Sequence, residues 1–272
     1  MSILLNEKIL VCYLITKYDD QNRLLDFINN YKKFKSGHKH DLLISFKLLK
    51  AEQITLLKKS LINIDYIEYI DKFSENDFDL GSYKRISNDY LNRYIFFLNS
   101  HSYPICHDWL KKITTNYENN SILATSSSYE SLLNSIKLKK VHKIFTFFLK
   151  KIKYKKYFNP FPNPHIRTTG FLIKGSEFYS FINNKLLQSK EDAWKIESGK
   201  NSLTNHFKKL GFKIYVINSD GSKFSENDWN LSNTYNYLEQ NKSIISDKHT
   251  RKYLKLNDND KMTFQHNTWG FN

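Results

Sequence analysis

The sequence predicts an α/β fold, a Rossmann-like, mostly parallel central sheet flanked by helices. Three observations predict it. Over the first 125 residues, apolar runs of strand length alternate with stretches whose apolar residues fall at helical spacing. The connections between them are short, which joins successive strands through helices as βαβ units. The composition is 40% hydrophobic and 15% aromatic, with 8 Gly and 4 Pro in 272 residues, so most of the chain is free to form regular structure around a sizeable core.

Each element follows from local pattern. Lys8 to Ile15 (KILVCYLI) is a continuous run of β-formers and reads as a buried first strand. Asp20 to Phe34 places Leu24, Leu25, Phe27, Ile28 and Tyr31 on one helical face, and Gly37 closes it. Asp41 to Leu48 reads as the second strand, Glu52 to Leu61 as a helix and Ile64 to Ile70 as the third strand. Tyr83 to Asn92 reads as a helix, Tyr94 to Leu98 as the fourth strand, Asp108 to Tyr117 as a helix capped near Asp108, and Ser121 to Thr125 as the fifth strand.

The second half is less regular. Ile136 to Tyr157 has dense lysine around an apolar centre of Ile144, Phe145, Phe147, Phe148 and Leu149. Such a basic amphipathic helix suits an anionic membrane surface, or else it packs its apolar side on the core. Asn159 to Pro164 holds three of the four prolines and must be an extended loop. His165 to Ile173 reads as one strand, Ser202 to Leu210 as a helix closed by Gly211, and Phe212 to Ile217 as a strand. The expectation is one domain over 1–224, with 136–157 as a basic insertion. A polar extension over 225–272 would pack on it with little regular structure.

The formal net charge is +15. It points to an anionic partner, whether nucleic acid, a membrane surface or a phosphate-bearing substrate, and part of it reflects a lysine-rich composition. No helix-turn-helix, zinc-finger or RNP pattern supports nucleic acid. Cys12 and Cys106 cannot build a disulfide framework, and no paired CxxC is present. The apolar run Met1 to Leu5 is too short for a signal peptide, and no stretch approaches the ~20 apolar residues of a membrane span. The expected place is the cytoplasm, free or peripheral on the inner face of the membrane.

In open parallel sheets ligands bind beyond the carboxyl ends of the strands, which singles out the loops after Ile15, Ile70 and Leu98. Four segments carry candidate chemistry. In Asp77 to Tyr83, Asp79 can accept from ribose or base groups and Gly81 permits close backbone approach. Ser82 and Tyr83 follow at the start of a helix whose amides suit phosphate. A helix cap with a glycine turn is the plainer alternative. Asn99, Ser100, His101 and Ser102 form the turn after the fourth strand. His165, Arg167 and Thr168 follow the proline-rich loop; an arginine in a central strand is costly unless paired, so Arg167 binds phosphate or a carboxylate, or else makes a structural ion pair. Glu197 and Asp192 are carboxylates able to deprotonate a hydroxyl, or else they serve the helix dipole.

Taken in order, these segments resemble bacterial glycosyltransferases of the GT-A fold, near family 2 and the rhamnan-synthesis-type enzymes of surface polysaccharide assembly. The resembling residues are His40-Asp41-Leu42 with Phe46-Lys47, Asp79-Leu80-Gly81-Ser82-Tyr83, Phe97-Leu98-Asn99-Ser100, Trp109-Leu110 and Ala124 to Ser131. They continue with Asn163 to Thr168, Glu197-Ser198-Gly199 with Ser202-Leu203-Thr204, Asp220-Gly221, Asp247 to Thr250 and Trp269-Gly270.

The resemblance implies a nucleotide-sugar donor site built from the first strand, the Asp79 segment and the Asn99 to Ser102 turn, with an acceptor side built from His165 to Gly170 and Glu197. It implies sugar transfer to a glycan or lipid-linked acceptor in capsule or O-antigen synthesis, with inversion and Glu197 as base. The chain departs from the family where an Asp-x-Asp would hold a divalent cation, since Ser100-His101-Ser102 stands there. The reading therefore assigns no metal ligand and no cofactor, with Mg²⁺ or Mn²⁺ as the alternative. The alternatives for function are a glycan-binding or scaffold protein of the same fold without catalysis, and a basic nucleic-acid-binding protein.

Overall fold

The structure is a computed structural model and describes residues 7–137, 144–236 and 239–270. Strand β1 (Ile9–Thr16) is apolar on both faces because both faces are covered. Ile9, Val11, Tyr13 and Ile15 pack into one core layer, while Leu10, Cys12 and Leu14 pack into the other. Helix α1 (Gln21–Lys33) is capped by Asp20, whose carboxylate accepts from the Asn22 backbone N–H, and buries Leu24, Phe27 and Ile28. Then come β2 (His40–Lys47), α2 (Ala51–Lys58), β3 (Ile67–Asp71), α3 (Phe78–Asp89), β4 (Tyr94–Leu98), β5 (Tyr103–Pro104), α4 (Trp109–Thr114), β6 (Ser121–Ala124) and β7 (Ser127–Ser128). After α5 (Ile144–Tyr157) the chain runs through β8 (His165–Ile166), β9 (Gly170–Lys174), α6 (Gly175–Ile182), α7 (Lys190–Ser198), α8 (Leu203–Lys209), β10 (Lys213–Ile217) and β11 (Lys223–Phe224).

The central sheet has the order β11-β10-β6-β9-β4-β1-β2-β3. Strands β3, β2, β1 and β4 pair in parallel, as do β6 and β10. Strand β9 runs antiparallel between β4 and β6, and β11 is antiparallel at the edge. The sheet is thus mixed but mostly parallel, with helices flanking it, in agreement with the expected class.

Three expectations are corrected. The single strand expected over His165 to Ile173 is two: β8 pairs with β7 in a small sheet, and β9 enters the main sheet. Arg167 lies in the turn between them, outside any strand. Helix α3 begins at Phe78, earlier than Tyr83, so Asp79, Gly81, Ser82 and Tyr83 are all helical. The tail is not poor in regular structure. A 3₁₀ segment (Glu226–Ser232), β12 (Ile245–Ser246), α9 (Lys248–Leu254) and α10 (Asp258–Trp269) occupy it. Asp247 and Asn257 cap the two helices through the Thr250 and Asp260 backbone N–H groups.

The tail is also fastened to the sheet domain. Strand β12 pairs with β5, and Trp269 is buried edge-on to Tyr129 with its indole N–H donating to the Thr234 carbonyl at 2.8 Å. Of the basic insertion, 138–143 fall outside the described residues. No helix among the described residues is long and apolar enough to cross a membrane.

Candidate functional site

The carboxyl ends of β1, β2, β3 and β4 deliver Thr16, Lys47, Asp71 and Leu98 to one edge of the sheet. The first feature there is a buried charge scaffold. Lys47 pairs with Asp77, and its ammonium also donates to the Phe78 carbonyl at 2.6 Å. Arg85 grips Asp71 with two N–H groups, at 2.7 and 2.6 Å, and Asp77 at 2.6 Å. Ser82 donates to Asp71 as well. Opposite charges in bidentate geometry offset the desolvation that each buried ion suffers. Gly81 serves this scaffold, since a β-carbon there would fall 1.9 Å from the Asp77 carboxylate. The scaffold fixes the first turn of α3, where Asp79 sits.

Asp79 is under the influence of four other side chains, those of Lys47, Asp19, Glu197 and Asn99. Burial pushes its carboxyl up to about 6; Lys47 opposes that shift, while the charges of Asp19 and Glu197 add to it. The Asn99 side chain hydrogen-bonds to it. The Asn99 carbonyl oxygen is already used, accepting from the His101 backbone N–H at 3.1 Å and the Ser102 hydroxyl at 2.8 Å, which leaves its NH₂ for Asp79.

Asp19 is held by the loop after β1. It accepts from the Thr16 backbone N–H at 2.9 Å, the Thr16 hydroxyl at 2.7 Å and the Ser100 hydroxyl at 2.6 Å. His101 lies 3.9 Å from it, its pKa lowered by burial and by the nearby Arg23, Lys248 and Arg251 charges despite Asp19.

Glu197, on the last turn of α7, accepts from the Thr168 backbone N–H at 3.1 Å and hydroxyl at 3.2 Å. His165 is buried and held by a 2.8 Å contact to the Asn163 carbonyl; burial lowers its pKa, and Glu197 opposes that. Arg167 is 8% exposed, lies over the Tyr235 ring at 5.3 Å, and has a buried Nε–H with no hydrogen-bond partner among the described residues. Asp247 and Glu197 raise its pKa against burial without reaching ion-pair distance among the described residues.

The tail adds two basic side chains beyond those expected, His249 and Arg251. His249 has its pKa lowered, first by burial and then by the Arg167 charge. Arg251 donates to the His101 carbonyl at 2.8 Å and to Ser246 at 3.1 Å. The available signal was the Asp247-x-x-Thr250 capping pattern, which announces a helix carrying Lys248, His249 and Arg251.

Other candidates lie elsewhere. Tyr83 is buried in the aromatic core, 4.4 Å from the Phe97 ring, and Ser82 is spent on Asp71, so neither reaches a ligand. Asp192 closes a capping box with Ser189 and pairs with Lys195 at 3.2 Å; those bonds hold its pKa low against burial. It is five residues from Glu197, which turns it away from that side chain on the helix.

The turn where a cation would sit does not fit one. The Ser100 and Ser102 hydroxyls are engaged by Asp19 and Asn99. Among the described residues no group of three or more His, Cys, Asp or Glu could hold a metal ion.

No protein-family model matches the chain, and no curated protein matches it by sequence. Solved structures resemble it loosely. The apo glycosyltransferase GlyE of Streptococcus pneumoniae TIGR4 is 12% identical over 76% of this chain and 45% of its own, with a TM-score of 0.42. The mannosyltransferase PcManGT of Pyrobaculum calidifontis, solved with GDP-Man and Mn²⁺, is 8% identical over 94% and 69%, with a TM-score of 0.46. The mannosyltransferase Ktr4p of S. cerevisiae is 11% identical over 75% and 61%, with a TM-score of 0.38. The chain spans less than half the length of the pneumococcal protein.

Proposed function

We propose that the chain is a glycosyltransferase that moves a sugar from a nucleotide donor to an acceptor hydroxyl. One observation carries the reading: the charge of Glu197 reaches both the buried Asp79 carboxyl beside the carboxyl edge of a mostly parallel sheet and the buried Arg167, whose Nε–H has no hydrogen-bond partner among the described residues. A carboxylate to accept a proton and a cation to receive an anionic leaving group are the two demands of the reaction.

In this reading the nucleotide lies along the ends of β1 and β4, with Asp79, Asn99 and the Ser100 to Ser102 turn on the ribose and diphosphate side. Arg167, with Lys248 from α9, offsets the charge of the departing diphosphate, and His249 offers a neutral imidazole as a hydrogen-bonding group. Glu197, held by Thr168, takes the acceptor proton as the acceptor oxygen bonds to the anomeric carbon. The bond from that carbon to the diphosphate oxygen breaks with inversion. The residues at the turn supply no divalent-cation site, so no step is routed through one.

The acceptor is a glycan or lipid-linked glycan of surface polysaccharide synthesis, met at the inner face of the membrane. This rests on the family resemblance of the sequence and on the lysine-rich α5. The direct test is a thermal-shift series with nucleotides and nucleotide-sugars, followed by transfer assays with the donor that raises the melting point. If no nucleotide-sugar shifts the melting point and no donor is consumed, the reading fails.

A further inference from the structure

We propose that α5 and the lysine-lined cavity at its C-terminal end form a docking face for an anionic phospholipid leaflet. The apolar stripe enters among the acyl chains and the cavity takes a lipid phosphate. The proposal rests on the membrane contact suggested above and supplies its site.

Helix α5 leaves its apolar residues uncovered. Phe145 is 70% exposed, Ile152 68%, Phe148 54%, Leu149 52% and Ile144 48%. The spacing i, i+1, i+4, i+5, i+8 puts all five on one face. Of the fourteen residues of the helix, Tyr154 is the buried one, packed 5.1 Å from the Phe158 ring. Lys153 pairs with Glu191 at 2.9 Å. The helix is thus held from its C-terminal half while its apolar stripe faces out. Contiguous exposed apolar surface with a polar rim marks an interaction site.

The same stripe continues one turn on to Lys156, which lines a cavity of about 330 Å³. Lys185, Lys195, Lys200 and Tyr157 also line it, against the single carboxylate of Asp192, which is already bonded to Lys195 and Ser189. Lys185 has no carboxylate partner among the described residues and lies over the Phe181 ring at 4.5 Å. Charge selects the occupant. Of the five lysines in α5, Lys153 alone is paired with a carboxylate among the described residues. Two copies of this face would set those lysines against each other, whereas an anionic leaflet offers acyl chains to the stripe and phosphates to the lysines.

The experiment is co-sedimentation of the full chain with phosphatidylcholine vesicles, with and without phosphatidylglycerol, at physiological ionic strength. Binding is expected to the anionic vesicles alone. The triple variant F145D/F148D/I152D and the double variant K185Q/K200Q should each weaken it roughly tenfold or more. The control K150Q/K151Q should weaken it less than K185Q/K200Q; an equal loss would overturn the cavity as the phosphate site. Equal binding to neutral vesicles, or unchanged binding by the triple variant, would overturn the docking face. So would a wild-type dimer that the triple variant converts to monomer. Each variant is also melted with and without the nucleotide. Lost vesicle binding with an intact nucleotide shift bears on α5 alone, and vesicle binding without any nucleotide shift bears on the functional reading alone.

Discussion

The Glu197 carboxylate is tied to Thr168 through one oxygen, which accepts from both the backbone N–H and the hydroxyl of that residue. The tether joins the end of α7 to the β8–β9 turn and fixes where the carboxylate can act. Glutamine keeps the accepting oxygen and loses the basicity. Glu197→Gln should therefore leave the melting temperature and nucleotide binding near wild type while turnover falls about 100-fold or more, the usual worth of a general base. Transfer at the wild-type rate by a folded variant would place the base elsewhere.

Asp79 predicts a distinctive pH dependence. Its folded pKa is raised, to about 6 from 3.8, so the native state holds the proton more tightly than the unfolded chain. The ionised form is the destabilised one. The cost is absent below the unfolded value, grows as pH rises toward 6, and is fully present above it. Asp79→Asn should thus raise stability at pH 8 by on the order of 2 kcal/mol and change little at pH 4. Melting curves at the two pH values measure this. The same variant should weaken donor binding, which calorimetry with the nucleotide would register.

Arg167 combines a buried charge with an Nε–H that has no hydrogen-bond partner among the described residues. Isolated buried charge is retained at a cost in stability. Arg167→Met should hold or raise the melting temperature while reducing affinity for a nucleoside diphosphate about tenfold or more. Arg167→Lys should not rescue it, because an ammonium lacks the planar fork. An unchanged diphosphate affinity in the methionine variant would show that Arg167 does not face the anion.

Strands β1 and β4 were legible because they are covered on both faces and so read as unbroken apolar runs. What escaped has physical causes. The reversal of β9 is a matter of pairing, which an apolar run does not encode. The start of α3 was hidden by Gly81, which resembles a turn residue yet stands inside the helix to make room for Asp77. The tail appeared irregular because α10 is polar nearly all round and is anchored by Trp269 at its end. Asp79, Asn99 and His101 drew notice from their place after the third and fourth strands, Arg167 as a charge in an expected strand, and Glu197 as a carboxylate ahead of the Ser202 helix. Asp19, His249 and Arg251 were not singled out, since the first lies in the loop after β1 and the other two arrive from the tail, Arg251 bonding His101 from 150 residues away.

The scaffold under the site yields the last prediction. The Asp71 side chain is fully buried; burial alone would raise its pKa, but Arg85 and Ser82 outweigh burial and hold it below the usual carboxylate range. Its stabilising share is therefore present at neutral pH and lost as pH falls through the folded value. Arg85→Ala removes the guanidinium from both Asp71 and Asp77 and leaves Asp71 charged with Ser82 as its remaining side-chain partner. The expected loss is about 3 kcal/mol at pH 7, the scale for breaking a buried pair from one side. Acid should lessen the difference, because a protonated Asp71 no longer needs the cation. Asp71→Asn combined with Arg85→Met should recover part of the stability, since neither leaves an unpaired charge at that position. Urea titrations of the three proteins at pH 7 and pH 5 test the ordering; an Arg85→Ala variant as stable as wild type would show that Lys47 alone sustains the scaffold.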